Sequence, residues 1–146
     1  MCIQDQSSVL GRKEDQEIRN LIKKDVERTQ QEQELFKNKY VQACMEEILY
    51  LWAKEHPLYK YQQGLNEILA MIIVCLGSEL VFNTKKLTEE EEEESDDDLY
   101  SLANNAEKMY NTIHSSDHFV ADCYCLFERI MGLGIKELYY KDSNNF

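Results

Sequence analysis

An arginine and a glutamine, 35 positions apart, are the residues of this chain best suited to chemistry. Arg28 lies next to the end of the segment Ile22-Lys23-Lys24-Asp25-Val26-Glu27-Arg28-Thr29. Gln63 sits in Tyr61-Gln62-Gln63-Gly64-Leu65-Asn66-Glu67, just before a strongly apolar stretch. A guanidinium is always charged and offers a planar fork of donors, which suits charge developing on a transferred phosphoryl group. A carboxamide both donates and accepts, which suits the orienting of an attacking water. Brought together, the two could complete the active site of a slow nucleotide hydrolase. Each also has a plain structural reading. Arg28 can be a surface arginine favoured by the helix macrodipole, and Gln63 a turn residue before a glycine. Asp25, one helical turn before Arg28, would hold its guanidinium or serve as an ordinary solvated partner. Gly64 would let the backbone approach another surface closely. Tyr61 is expected to pack and fix its loop, and Asn66 to cap the helix that follows or the Arg28 loop.

The elements that must position these residues read as helices. From Glu14, the residues Ile18, Leu21, Ile22 and Val26 recur at three- and four-residue intervals and define one face. Residues 1–13 are expected to form a loose leader. A second helix is expected from about Lys39 to His56, with Val41, Cys44, Met45, Ile48, Leu49 and Trp52 as its apolar stripe. Pro57 should stop it, because proline biases the preceding residue away from helical angles. A short loop over 56–63 leads to a third, most apolar helix that should end near Gly77 and Ser78. Residues 99–113 form a fourth pattern. Asp117 is expected to cap a fifth helix, ended by Gly132 and Gly134. No long period-two stretch argues for a sheet. The expectation is therefore an all-α fold, 14–146, interrupted by an acidic insertion at 88–98.

Composition narrows the function classes. The chain has 146 residues, 43% of them apolar, and one proline, which fits a single ordered domain. Its net charge of −12 is local, since residues 89–98 hold nine of the 28 acids and no base. Such a run repels itself and is expected to be a solvated surface loop. No basic patch supports nucleic-acid binding or attraction to anionic membranes. No run is long and apolar enough for membrane insertion. The five cysteines make an odd number without a regular framework, which implies reduced thiols in a cytoplasmic setting. His114, His118, Cys123 and Cys125 could be imagined as zinc ligands. The Cys-x-Cys spacing turns two helical thiols about 200° apart, so buried core cysteines are the better reading and no metal site is expected.

The first segment resembles the I-x-x-D-x-x-R-T motif of TBC domains, the Rab GTPase-activating family, and Tyr61–Gly64 resembles that family's Y-x-Q-G motif. Asp122-Cys123-Tyr124, with Phe127, Ile130 and Met131, resembles a third stretch of the family. Short motifs are weak singly, but three in order are fairly specific. The resemblance covers about 17–82 and 117–131. It implies that Arg28 matches a catalytic arginine finger and Gln63 a catalytic glutamine finger, with Asp25, Thr29, Tyr61, Gly64 and Asn66 in support. The partner would be a Rab-type small GTPase that carries its own GTP and Mg²⁺. The chain would then have no cofactor or substrate pocket of its own. It would act in vesicle trafficking, in the cytoplasm or peripheral to endomembranes through its partner. Gln30 and Gln31 stand where the family usually has a proline, so a less rigid exit from the Arg28 loop is expected. The family's C-terminal helical half is expected to be lacking, which would leave apolar surface able to support a dimer. The alternative reading is a non-catalytic helical protein-binding module on the same scaffold.

Overall fold

A computed structural model of the chain describes residues 3–87 and 98–139, and the side chains of 11–81 and 106–139. The elements are α1 (Ile3–Arg28), α2 (Glu34–Lys37), α3 (Lys39–Glu55), α4 (Leu65–Leu87), α5 (Asp98–Ser115) and α6 (Phe119–Ile130), followed by a widely wound turn, Met131–Ile135. No strand occurs among the described residues, so the all-α expectation holds. The acidic run falls outside the described residues except for Asp98, which opens α5.

α1 starts at Ile3 rather than Glu14, so the described part of the expected leader is helical. Nothing in 3–13 forbids this. The chain's proline lies elsewhere, and a helix once nucleated gains one bond per added residue. Gly11 costs only about 1 kcal/mol there. On the α1 face, Ile22 and Val26 are buried, whereas Leu21 is 55% exposed and does not share it.

α3 begins where Asn38 caps it, its side chain accepting from the Tyr40 and Val41 amides at 2.8 and 3.3 Å. Its expected stripe is buried throughout. It stops at His56, whose φ of −123° and ψ of 66° leave the helical region just before Pro57.

α4 does not end at Gly77 but runs on to Leu87. Gly77 serves packing instead of termination. A Cβ there would lie 3.0 Å from the Met109 Cγ and Sδ atoms and 3.3 Å from Ile113 Cδ1. The missing side chain lets α5 approach α4 closely. Leu65, Leu69, Ile72 and Ile73 of α4 are buried, but Met71 is 69% exposed, so the most apolar helix still keeps a surface face. α4 also shares the centre of the bundle with α3. α4 packs on α1, α3, α5 and α6, while α3 packs on α1, α2, α4 and α6.

Asp117 does not cap α6; the cap position is His118, with no side-chain cap bond. The α-helix ends at Ile130, before the expected glycines, and the following turn kinks at Gly134, where φ is 116°. α6 is fastened to the end of α3. Trp52 meets the Phe127 ring edge-on at 5.7 Å, His56 Nε2 lies 2.9 Å from both Glu128 carboxylate oxygens, and the Tyr124 hydroxyl donates to Glu55. These contacts set where the 56–64 loop leaves the bundle. Lys136 lies over the Tyr59 ring, and Tyr139 brings its hydroxyl to Gly64. The loop carrying Gln63 is thus held from both ends.

Candidate functional site

Asp25 is the point where the two segments meet. It lies in the last turn of α1 and is only 5% exposed. One carboxylate oxygen accepts from Arg28 Nη2 and the other from the Tyr61 hydroxyl. Both oxygens of a buried carboxylate are thereby served, which its burial requires.

The Asp25 backbone carbonyl is one of the orphan acceptors at a helix C-terminus. Thr29 Oγ1 donates to it at 2.8 Å and Asn66 Nδ2 at 3.3 Å. Asn66 Nδ2 also donates to Thr29 Oγ1 at 2.9 Å, and Asn66 Oδ1 accepts from the Gly64 amide at 3.2 Å. Of its two expected roles, Asn66 therefore takes the one that ties the Arg28 loop to the Gln63 loop. Tyr61 is 8% exposed, and burial first, then its bond to Asp25, pushes its hydroxyl ionisation far up. It remains a donor at every ordinary pH.

The backbone around these anchors takes a positive φ at three places, Gln30, Lys60 (φ 55°) and Gly64. Gly64 has φ 103°, which glycine adopts freely. Gln30 has φ 46°, a left-handed position that costs a non-glycine residue roughly 1–3 kcal/mol. That position turns the chain sharply after α1. The turn is nevertheless well tied: the Gln33 amide donates to the Gln30 carbonyl at 2.9 Å, and Gln31 Nε2 to the Thr29 carbonyl at 3.1 Å. The exit from the Arg28 loop, expected to be loose without a proline, is held by glutamine side chains and turn bonds instead.

Arg28 and Gln63 both remain at the surface. The Arg28 side chain is 65% exposed while resting one nitrogen on Asp25. With Asp25, Gly64, Asn66 and Glu67 they line a single open depression of about 280 Å³. All seven residues expected in the site thus fall in one neighbourhood, with Tyr61 and Thr29 beneath it and the two finger candidates at its rim. From the sequence, Gln30 is notable only for standing where the family usually has a proline, and Glu67 has no assigned role. Gln30 Nε2 donates to Glu67 Oε2 at 2.6 Å across 37 residues of chain. The only sequence signal was adjacency, since each directly follows a site residue.

The other constellations stay apart. Of the Cys-x-Cys pair expected in the core, Cys123 is buried but Cys125 is exposed; Cys44 is buried and Cys75 exposed. Among the described residues no group of three or more His, Cys, Asp or Glu side chains could hold a metal ion. No described helix is long and apolar enough to cross a membrane.

The class is a helical bundle presenting an exposed guanidinium and carboxamide from two segments cross-tied through buried side chains. The Rab-GTPase-TBC domain family model matches residues 2–145, and the chain belongs to that family. It is 28% identical over 115 residues to TBC1 domain family member 5 homolog B of Dictyostelium discoideum, covering 79% of this chain and 10% of that protein. It is 35% identical over 63 residues to TBC1 domain family member 5 of Homo sapiens, 43% of this chain and 8% of that one. A third relative is GTPase-activating protein gyp1 of Schizosaccharomyces pombe, 35% identical over 74 residues, 51% of this chain and 14% of that protein. The chain spans about a tenth of the length of these relatives. No solved structure matches it.

Proposed function

We propose that the chain stimulates GTP hydrolysis by a Rab-type small GTPase, supplying Arg28 and Gln63 in trans. The observation that carries this reading is their shared depression: two exposed side chains of suitable chemistry at the edge of loops joined through Asp25 and Asn66. Family membership and a relative named as a GTPase-activating protein support it.

In this reading, GTP and Mg²⁺ enter with the partner. Arg28 leaves its resting contact with Asp25 and donates to the γ-phosphoryl oxygens as charge builds there. Asp25, buried and held by Tyr61, keeps the guanidinium aimed outward before docking. Gln63 accepts from the attacking water and donates toward the phosphoryl group, which orients the water for in-line attack. Gly64 has no side chain to hold the partner's surface away from Gln63. The chain needs no pocket of its own, because the partner brings the substrate.

The test is single-turnover hydrolysis by a panel of GTP-loaded Rab GTPases with and without the chain. Arg28→Ala should lower the stimulated rate by roughly 10³-fold or more, the usual worth of such a contact. Gln63→Ala should also lower it sharply, and both variants should keep the wild-type far-ultraviolet circular dichroism. Wild-type rates in both would remove the mechanism. A non-catalytic binding module would instead bind the GDP and GTP forms alike and leave hydrolysis unchanged.

A further inference from the structure

Beside the Asn66 bond to the Asp25 carbonyl, three side-chain to side-chain cross-links join the two segments in order. Tyr61 bonds the Asp25 carboxylate, Asn66 bonds Thr29 at 2.9 Å, and Gln30 bonds Glu67 at 2.6 Å. The first two involve buried groups and hold the loops together as a structural unit. The third differs. It is exposed, it lies one residue outward from the second on both strands of chain, and Glu67 lines the same depression as Arg28 and Gln63.

We infer that Gln30 and Glu67 are positioning residues that fix the separation of the two fingers at the rim of the depression. This rests on the GTPase-activating reading above. An exposed amide–carboxylate bond adds little to folding stability, so stability is a poor account of it. Its direction is also set. Gln33 Nε2 donates to Gln30 Oε1 at 3.3 Å, which leaves Gln30 Nε2 as the end facing Glu67. The left-handed backbone at Gln30 turns the chain back at this point, and the side chain closes the turn onto α4. Arg28 and Gln63 are exposed at the rim of the depression, and this outer bond adds a tie there between the turn after α1 and the first turn of α4. Misplacing a catalytic group by about 1 Å can cost on the order of 100-fold in rate.

The experiment uses the same single-turnover assay on the same panel, with five variants. Gln30→Gly keeps the left-handed backbone and deletes the side chain. Gln30→Glu sets two carboxylates against each other. Glu67→Gln retains an accepting oxygen. Gln30→Glu with Glu67→Gln exchanges donor and acceptor, and Arg28→Ala is the control. Gln30→Gly and Gln30→Glu should lower kcat about tenfold, short of the full misplacement penalty, with KM within about twofold of wild type. Glu67→Gln and the exchanged pair should both return close to wild type. Wild-type kcat in Gln30→Gly and Gln30→Glu, alongside a collapse in Arg28→Ala, overturns the clamp and leaves the finger reading intact. A raised KM with unchanged kcat also overturns it, since that marks a docking contact. Failure of the exchanged pair to recover does the same. If Arg28→Ala is also unaffected, or no GTPase in the panel responds to the wild-type chain, the finger reading falls and the clamp falls with it.

Discussion

Replacing Tyr61 with phenylalanine deletes one oxygen atom from the buried junction at Asp25. The ring keeps its volume and its packing, so no cavity opens. What is lost is the hydroxyl that donates to Asp25. Tyr61 is 8% exposed and Asp25 5%, so water cannot readily replace the missing donor. A hydrogen bond to a charged group is worth roughly 1.5–3 kcal/mol under these conditions. Arg28 still serves the other carboxylate oxygen, but its side chain is 65% exposed and its contribution is screened. The expected loss is therefore about 1.5–3 kcal/mol, or roughly 5–10 °C in the midpoint for a domain of this size. Urea unfolding read by circular dichroism measures it. A double-mutant cycle with Asp25→Ala isolates the pair, and the coupling should exceed about 1 kcal/mol. Because the carboxylate also rests Arg28, the proposed activity implies that Tyr61→Phe should lower stimulated GTP hydrolysis as well. A stability within about 0.5 kcal/mol of wild type and a coupling near zero would refute the argument that Asp25 depends on this donor.

Further outcomes follow from burial and packing. Gly77→Val should cost about 1–3 kcal/mol, because even a Cβ meets Met109 at 3.0 Å and the branched side chain must force α5 away from α4; unchanged urea midpoints would contradict this. Stability should fall at alkaline pH. Burial pushes the Cys123 thiol up to about 12 and raises Tyr61 and Tyr124, the latter also through its bond to Glu55. Above the ordinary values of 9.0 for cysteine and 10.0 for tyrosine, the unfolded chain releases protons that the folded chain keeps, so buried Cys123 and Tyr61 each remove about 1.4 kcal/mol per pH unit, and the more exposed Tyr124 less. Urea midpoints should show no loss from these groups up to about pH 9 and a steep fall beyond it, and midpoints unchanged to pH 11 would refute their burial in protonated form. Iodoacetamide at pH 8 should label Cys75 and Cys125 in the native chain and reach Cys44 and Cys123 only in urea, as read by mass spectrometry.

Much of this architecture is written in local pattern. The buried stripes of α3 and α4 follow from apolar residues repeating every three or four positions, and Pro57 marks the end of α3 by steric exclusion. Positions where local chemistry and packing compete were not legible. Gly77 reads locally as a terminator, yet it lies mid-helix because Met109 and Ile113 occupy the space its side chain would take. Leu21 fits the helical period but faces solvent, because the periodic face is wider than the neighbouring helices cover. The described residues 3–13 carry no strong apolar pattern, and their helix continues from the turn that follows them.

The residue types of the candidate site, Asp25, Arg28, Tyr61, Gln63 and Asn66, are determined by the sequence alone, and with them the chemistry the site can offer. Their meeting is not. α1 and the 56–64 loop come together because α3 and α4 bury their apolar faces between them and fix the exits of both loops. Only that packing could decide that Asn66 faces the end of α1 rather than its own helix, or that Gln30 reaches Glu67. Hydrogen bonds across 36 to 41 residues of chain have no local signature; they exist only once the core has placed their partners within reach.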